Sequence, residues 1–222
     1  MHREVDLVRL DPQYRIQFGA GGRIDATADV PRMERKIAAI SPGDAKKFRR
    51  FLLENRARLE AFRPVLEREF LGFGDLFSAD LLKCLPHLRP HQSLDGYLRT
   101  LFRDPRIRLA FSFQSKYLGM SPFRCPSLFS ILSFLEYEHG VWHPLGGCAA
   151  ITEAMARTAQ AMGVEICTSE PVLGMEFQGR RATALRTAGG GHKADAVVVT
   201  ADFARAMHKL VPDRLRRRWS DR

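Results

Sequence analysis

Cysteine is scarce in this 222-residue sequence, and the four present, Cys84, Cys125, Cys148 and Cys167, form no C-x-x-C pair. Such spacing argues against a disulfide framework or a zinc site and fits reduced, buried thiols in a cytosolic protein. Long apolar runs are missing too. In the hydrophobic middle the longest uncharged stretch, Cys125 to Leu135, is far short of the roughly 20 apolar residues that span a bilayer. The N-terminus, MHREVDLVRL, is charged throughout and has no signal-peptide core. Internal repeats, low-complexity tracts and zinc-binding or RNA-binding signatures are absent as well, which leaves no support for a nucleic-acid partner.

What is present is a globular composition, 45% hydrophobic, with a formal charge of +10. That excess is spread along the chain, +6 on residues 1–140 and +4 on residues 141–222. It fits a solvated basic surface or, as the alternative, attraction to anionic lipid.

The most informative stretch runs from Val141 to Val172, VWHPLGGCAAITEAMARTAQAMGVEICTSEPV. Pro144 forces extended backbone before it, and Gly146 with Gly147 supplies a turn whose backbone can pass close to a ligand. From Ala149 the apolar positions Ile151, Ala154, Met155, Ala159 and Met162 recur at helical steps, and Gly163 stands as a left-handed cap. Val164 to Cys167 reads as a buried strand. The whole has the size of a unit crossing from strand through helix to a parallel strand.

Upstream, Tyr14, Ile16 and Phe18 alternate with polar residues, and Gly19 to Gly22 turns the chain into a hairpin partner at Arg23 to Ala26. Ser41-Pro42-Gly43-Asp44 reads as a helix start capped by its serine, with Pro64 kinking or restarting the helix that follows. Residues 70–92 read as a loop-rich connection, Ser93 as the cap of a helix ended by Pro105, and Arg106 to Tyr117 and Ser127 to Glu138 as two more helices. Downstream, strands are expected at Val172 to Phe177, Ala182 to Thr187 and Ala194 to Ala201, the last apolar enough to be buried on both faces of a parallel sheet. Asp202 would cap a final helix before the basic segment that carries Arg214, Arg216, Arg217 and Arg218.

Candidate chemistry is thin at the level of single residues. His87 with His91 and His139 with His143 share an H-x-x-x-H spacing, but prolines or glycine interrupt both, so no metal site is expected. Asp104 and Arg108 are four apart; they read either as a helix cap with a surface ion pair or as groups handling charge in an apolar cavity. Phe111, Phe113, Tyr117, Met120, Phe123, Phe129 and Phe134 are core by default, and dense enough to line a channel for a long hydrocarbon.

Taken in order, DPQYRIQF, SPGDAKKFRRFL, FRDPRIRLAFSFQSKYLGMSPF, SLFSILSFLEYEHGVWHPLGG, GVEI with SEPV, and ADAVVVTAD resemble the bacterial phytoene desaturase family of amine-oxidase-like flavoproteins. The resemblance covers nearly the whole chain. It implies an α/β fold: an α+β substrate domain over residues 1–140, a middle section of a Rossmann-like FAD-binding domain over 141–203, and a return toward the substrate domain over 204–222. It implies FAD, a lipophilic polyene (carotenoid) substrate, and removal of hydrogen across a carbon–carbon bond by a cytoplasmic protein peripheral to the inner face of an anionic membrane. By that resemblance Val172, Ala201 and Asp202 lie beside the FAD nucleotide, Gly146 and Gly147 border the flavin and the substrate, and Asp104 and Arg108 lie near the reacting bond. The family's opening G-x-G-x-x-G turn and its C-terminal flavin segment are not found here. The chain therefore reads as an internal piece of such an enzyme, inactive alone, with a non-catalytic lipid- or polyene-binding module, or a related flavin isomerase or saturase, as the alternatives.

Overall fold

The computed structural model describes residues 4–216 except 20, 70 and 90; Pro90, Arg217 and Arg218 thus lie outside the described residues, as does the side chain of His87. The fold mixes helices with short antiparallel sheets, and it divides into two compact units, residues 1–154 and 155–222.

In the first unit the expected hairpin is present. Strands β2 (Tyr14–Gln17) and β3 (Arg23–Ala26) pair antiparallel with Tyr14 opposite Ala26. Helix α1 (Val30–Ile40) follows, where no element is predicted from the sequence. Its signals are local ones: Asp29 accepts from the Arg32 N–H at 2.8 Å, Pro31 sits in the first turn, and Met33 and Ile37 are buried one turn apart. Ser41 ends α1 and makes no side-chain cap for the short helix α2 (Pro42–Ala45), contrary to expectation.

Helix α3 (Lys47–Leu66) runs through Pro64 without restarting. The proline lies within three residues of the helix end, so the one bond it removes is lost from a turn that is finishing anyway. Residues 70–92 also depart from the loop expected of them. A 3-10 turn at Phe73–Phe77 leads to α4 (Ala79–Leu88), started by Ser78, whose hydroxyl accepts from Leu81 N–H.

Helix α5 (Leu94–Leu101) carries the Ser93 cap as read from the sequence. Pro105 opens α6 (Pro105–Ala110) at its first position. The helix expected to reach Tyr117 breaks at Phe111, whose N–H is shared between the Ile107 and Arg108 carbonyls, and a tighter turn, Phe113–Leu118, continues. The change of pitch lets Phe111 and Gln114 both point inward. A short turn leads into α7 (Ser130–His139).

The core of this unit is aromatic. Phe111 lies 5.0 Å from Phe51, 5.0 Å from Phe102 and 5.1 Å from Tyr137, measured between ring centres. Met33 and Ile37 of α1 and Tyr97 and Leu98 of α5 close around these rings. Phe111 and Phe134 are thus core, whereas Tyr117 and Phe123 are exposed, so the aromatic run divides between interior and surface. The cysteines divide likewise: Cys84 and Cys125 are buried, but Cys148 and Cys167 are exposed, contrary to expectation.

Strand β4 (Trp142–Pro144) does not begin a parallel crossover. It pairs antiparallel with β1 (Leu7–Arg9), a partner more than 130 residues upstream that local patterning cannot reveal. Arg9 packs its guanidinium against Gly140, where a Cβ would sit 2.6 Å from Nε, and over the Trp142 ring. Helix α8 (Cys148–Ala161) then carries the chain into the second unit and ends at Gly163, which has the left-handed φ of +90° expected of a cap.

The second unit contains an antiparallel sheet in the order β5 (Val172–Gln178), β6 (Arg181–Thr187), β7 (Gly191–Lys193), with α9 (Phe203–Leu210) packed against β5. The glycine turns at 179 and 189–191 fall where the sequence puts them. Residues 164–167 and 194–201 form no strand, contrary to expectation. Ala194 donates to the Thr183 carbonyl, after which no ladder continues among the described residues. The run that was to be buried leaves Val198 87% exposed, because a parallel strand needs neighbours on its edges and helices over its faces.

One buried carboxylate ties the first unit together. Asp44, 1% exposed, accepts from the N–H of Arg103 at 2.9 and 3.0 Å and from that of Asp104 at 2.9 Å. Asp44→Ala strands both donors and is expected to lower unfolding free energy by about 3 kcal/mol in urea titration, with Asp44→Asn losing about half as much.

Candidate functional site

The seven residues singled out from the sequence fall into three places. Asp104 and Arg108 are in the first unit and do not pair. Asp104 caps α6, accepting from the backbone N–H of Arg106 at 2.8 Å and from its guanidinium Nη2 at 2.8 Å. Arg108 turns the other way, donating from Nη1 to the Arg103 carbonyl at 2.6 Å, with its Nε 3.8 Å from Asp95. Both groups are spent on holding the α5–α6 connection, which Asp44 clamps from below.

Gly146 and Gly147, also in the first unit, form the turn between β4 and α8. Their φ values of +85° and +80° are in the region that favours glycine, and nothing stands within 4 Å of where a Gly147 Cβ would be. The turn is held by Gly147 N–H donating to the Pro144 carbonyl at 2.9 Å. It is an open backbone surface at the start of a 14-residue helix.

Val172, Ala201 and Asp202 come together in the second unit. They line one cavity of about 530 Å³, whose other walls include Leu185, the valines at 197, 198 and 199, Thr200, Arg205, Lys209 and Leu210. That volume is in the range of ~300–1,000 Å³ typical of small-molecule sites. Asp202 caps α9, its Oδ1 accepting from Arg205 N–H at 3.0 Å. The wall at 197–201 offers backbone donors and acceptors that no ladder consumes among the described residues. Aliphatic faces, free backbone edges and a carboxylate make a set that suits the base and sugar of a nucleotide.

Sequence reasoning overlooks a second polar cluster, inside the first unit. Glu136 Oε2 accepts from Tyr14 Oη at 2.8 Å and from Gln114 Nε2 at 2.8 Å, while Gln13 Nε2 donates to the Glu136 carbonyl at 2.6 Å. Burial, together with the neighbouring Tyr137 and Glu136, holds the Tyr14 phenol far above its usual range. The hairpin members Gln13 and Tyr14 lie 100 residues or more before Gln114 and Glu136 in sequence, so no spacing signal could reveal the cluster.

A pH dependence follows from Asp104. The Arg106 guanidinium hydrogen-bonded to it holds its carboxyl below the ordinary value of 3.8. A depressed carboxyl contributes stability above its unfolded pKa and loses it as pH falls. Unfolding free energy should therefore decline below about pH 4. Asp104→Asn should lose about 1 kcal/mol at pH 7 and show a shallower acid slope, measured by denaturant titration across pH 2–7.

A family model described as flavin containing amine oxidoreductase matches residues 13–221. The chain is 33% identical over 208 residues to a 4,4'-diapophytoene desaturase (4,4'-diapolycopene-forming) of a Methylomonas species, 93% of this chain and 40% of that protein. It is 32% identical over 207 residues to a zeta-carotene-forming phytoene desaturase of Myxococcus xanthus, 92% and 40% respectively. A neurosporene-forming phytoene desaturase of Rhodobacter capsulatus is 33% identical over 224 residues, 99% and 42%. The chain thus spans about two-fifths of the length of these curated relatives. Matched from residue 13 to residue 221, the chain belongs to the flavin containing amine oxidoreductase family.

Proposed function

We propose that the chain is the substrate-domain and middle nucleotide-domain portion of an FAD-dependent desaturase acting on a carotenoid or similar polyene. The observation that carries this reading is the cavity that gathers Val172, Ala201 and Asp202, the residues the resemblance assigns to the FAD nucleotide. Bound FAD would accept the two electrons taken with hydrogen from a carbon–carbon bond. The residues of this chain would hold the nucleotide: the aliphatic wall takes the base, and Asp202 is placed for a ribose hydroxyl. The glycine turn at 146–147 presents backbone on which a flavin ring can lie closely. Asp104 and Arg108 enter as candidates near the reacting bond through the fold of the α5–α6 connection, which their hydrogen bonds maintain. Residues 1–140 are assigned to the polyene and 141–203 to the nucleotide, with 204–222 starting the return.

The extended runs 164–167 and 194–201, which have the composition of buried strands but no partners among the described residues, support a nucleotide sheet shared with segments the relatives possess beyond the matched two-fifths. The same division explains why this chain should bind FAD weakly by itself. Purified alone, it is expected to be colourless and to show weak, saturable quenching of added FAD fluorescence that AMP competes away. A stoichiometrically yellow protein would contradict the shared-site reading, and FAD fluorescence indifferent to the chain would remove the cofactor. Desaturase activity is tested by exchanging the chain for the matching segment of the Methylomonas relative, with FAD and phytoene or diapophytoene in vesicles.

We place the protein in the cytoplasm at the inner face of an anionic membrane. No helix among the described residues is long and apolar enough to cross a bilayer. In the first unit Leu71 is 87% and Phe77 78% exposed, close to Leu66 and Leu82 in sequence and also exposed. Exposed apolar residues of this density support docking on lipid, with the +10 charge favouring anionic headgroups. Sedimentation with phosphatidylglycerol vesicles should carry the chain down, and Leu71→Asp with Phe77→Asp should reduce the bound fraction at least about fivefold at equal salt. Wild-type protein left in the supernatant at low salt would argue against membrane attachment.

A further inference from the structure

The cavity in the second unit has two features that the cofactor assignment above leaves unused. Arg205 and Lys209 both line it, four residues apart on α9 and hence on one helix face. Neither makes an ion pair among the described residues. The acid closest in sequence, Asp202, directs its carboxylate at the backbone N–H of Arg205, and no ion pair joins it to the guanidinium. Beyond the helix, Arg216 lies 2.8 Å from His208 Nδ1 and 3.7 Å from Asp213, so its charge is engaged away from the cavity lining. One end of the cavity therefore carries two cations held in no ion pair among the described residues, outnumbering the Asp202 carboxylate, beside an aliphatic wall of Val172, Leu185 and the valine run. An apolar wall excludes water and strengthens the field of charges at its rim, so this end favours a group carrying negative charge.

We infer that Arg205 and Lys209 form a clamp for a phosphoryl group of the bound dinucleotide, a role that rests on the FAD reading of this cavity. Arg205 offers a planar fork suited to two phosphate oxygens, and Lys209 adds a point charge one turn away. The base and ribose lie along the valines and Asp202, and the phosphate sits at the α9 end. The clamp is a contact from the chain's own return helix, separate from any glycine-rich turn. It makes the affinity of the cavity depend on phosphate and on salt, which an aliphatic slot alone would not.

The test is an amide chemical-shift titration of the full 222-residue chain with adenosine and with AMP, in wild type, R205Q, K209Q and the double variant. Both side chains are exposed, so the substitutions leave the packing of α9 intact, and thermal melts verify this. AMP is expected to bind about tenfold or more tightly than adenosine, with shifts at Val197, Val199, Arg205 and Lys209. The double variant should lose that advantage while its adenosine affinity stays unchanged, and raising salt in the wild type should do the same in part. Adenosine binding with no gain from the phosphate overturns the clamp and leaves the nucleotide site standing. Shifts from neither ligand overturn both. Titration with phosphatidylglycerol vesicles supplies the remaining arm: if the double variant loses vesicle binding but keeps its AMP preference, the cations serve lipid and the clamp is wrong.

Discussion

The first unit depends on one aromatic contact set, the rings that meet at Phe111. Phe102 stacks on it with planes 14° apart, Phe51 and Tyr137 tilt against it, and Phe48 closes the group at 5.6 Å. These side chains come from α3, α7, the end of α5 and the end of α6, so one cluster fixes four segments at once. Ring pairs in offset or tilted contact contribute about 0.5–1.5 kcal/mol each beyond the area they bury. The break in the helix after Ala110 is the local cost of delivering Phe111 to that centre.

Around the cluster, polar groups set the register of what the rings hold. Asp44 fastens the backbone before α6, and the Gln13, Tyr14, Gln114 and Glu136 network fastens the hairpin to α7. Arg58, 4% exposed, bonds Ser130 Oγ at 2.7 Å and lies 4.4 Å over the Tyr97 ring, joining α3 to α5 and α7. A buried guanidinium is costly unless its donors are met, so these partners constrain the fold as much as the rings do. The glycine turn at 146–147 is then placed by the pairing of β4 with β1 and by the approach of Arg9 to Gly140.

The second unit works by a different balance. It has a three-stranded antiparallel sheet, one amphipathic helix, and a run of valines that no neighbouring strand covers among the described residues. Uncovered edges of this sort are a liability in a finished domain. The cavity lined by the valine run and α9 is where these uncovered residues meet the return helix.

Local chemistry was legible in the sequence wherever it decides structure by itself: the 14–26 hairpin, the Ser93 and Asp202 caps, the Gly163 stop, and the glycine turns of the second sheet. The ordered motifs also carried the family. Helix α1 was equally local, with its Asp29 cap and buried i, i+4 pair, and could have been read. What only the tertiary structure decided are events between distant residues. Asp104 and Arg108 have the spacing of a pair, yet Arg106 takes the one and backbone carbonyls the other. Val141 to Cys167 has the pattern of a parallel crossover, but β4 pairs with β1, because strand pairing is settled by which edge is available and not by the strand's own residues. Val172, Ala201 and Asp202 share a cavity for the same reason: the return of α9 onto β5 brings together positions thirty residues apart.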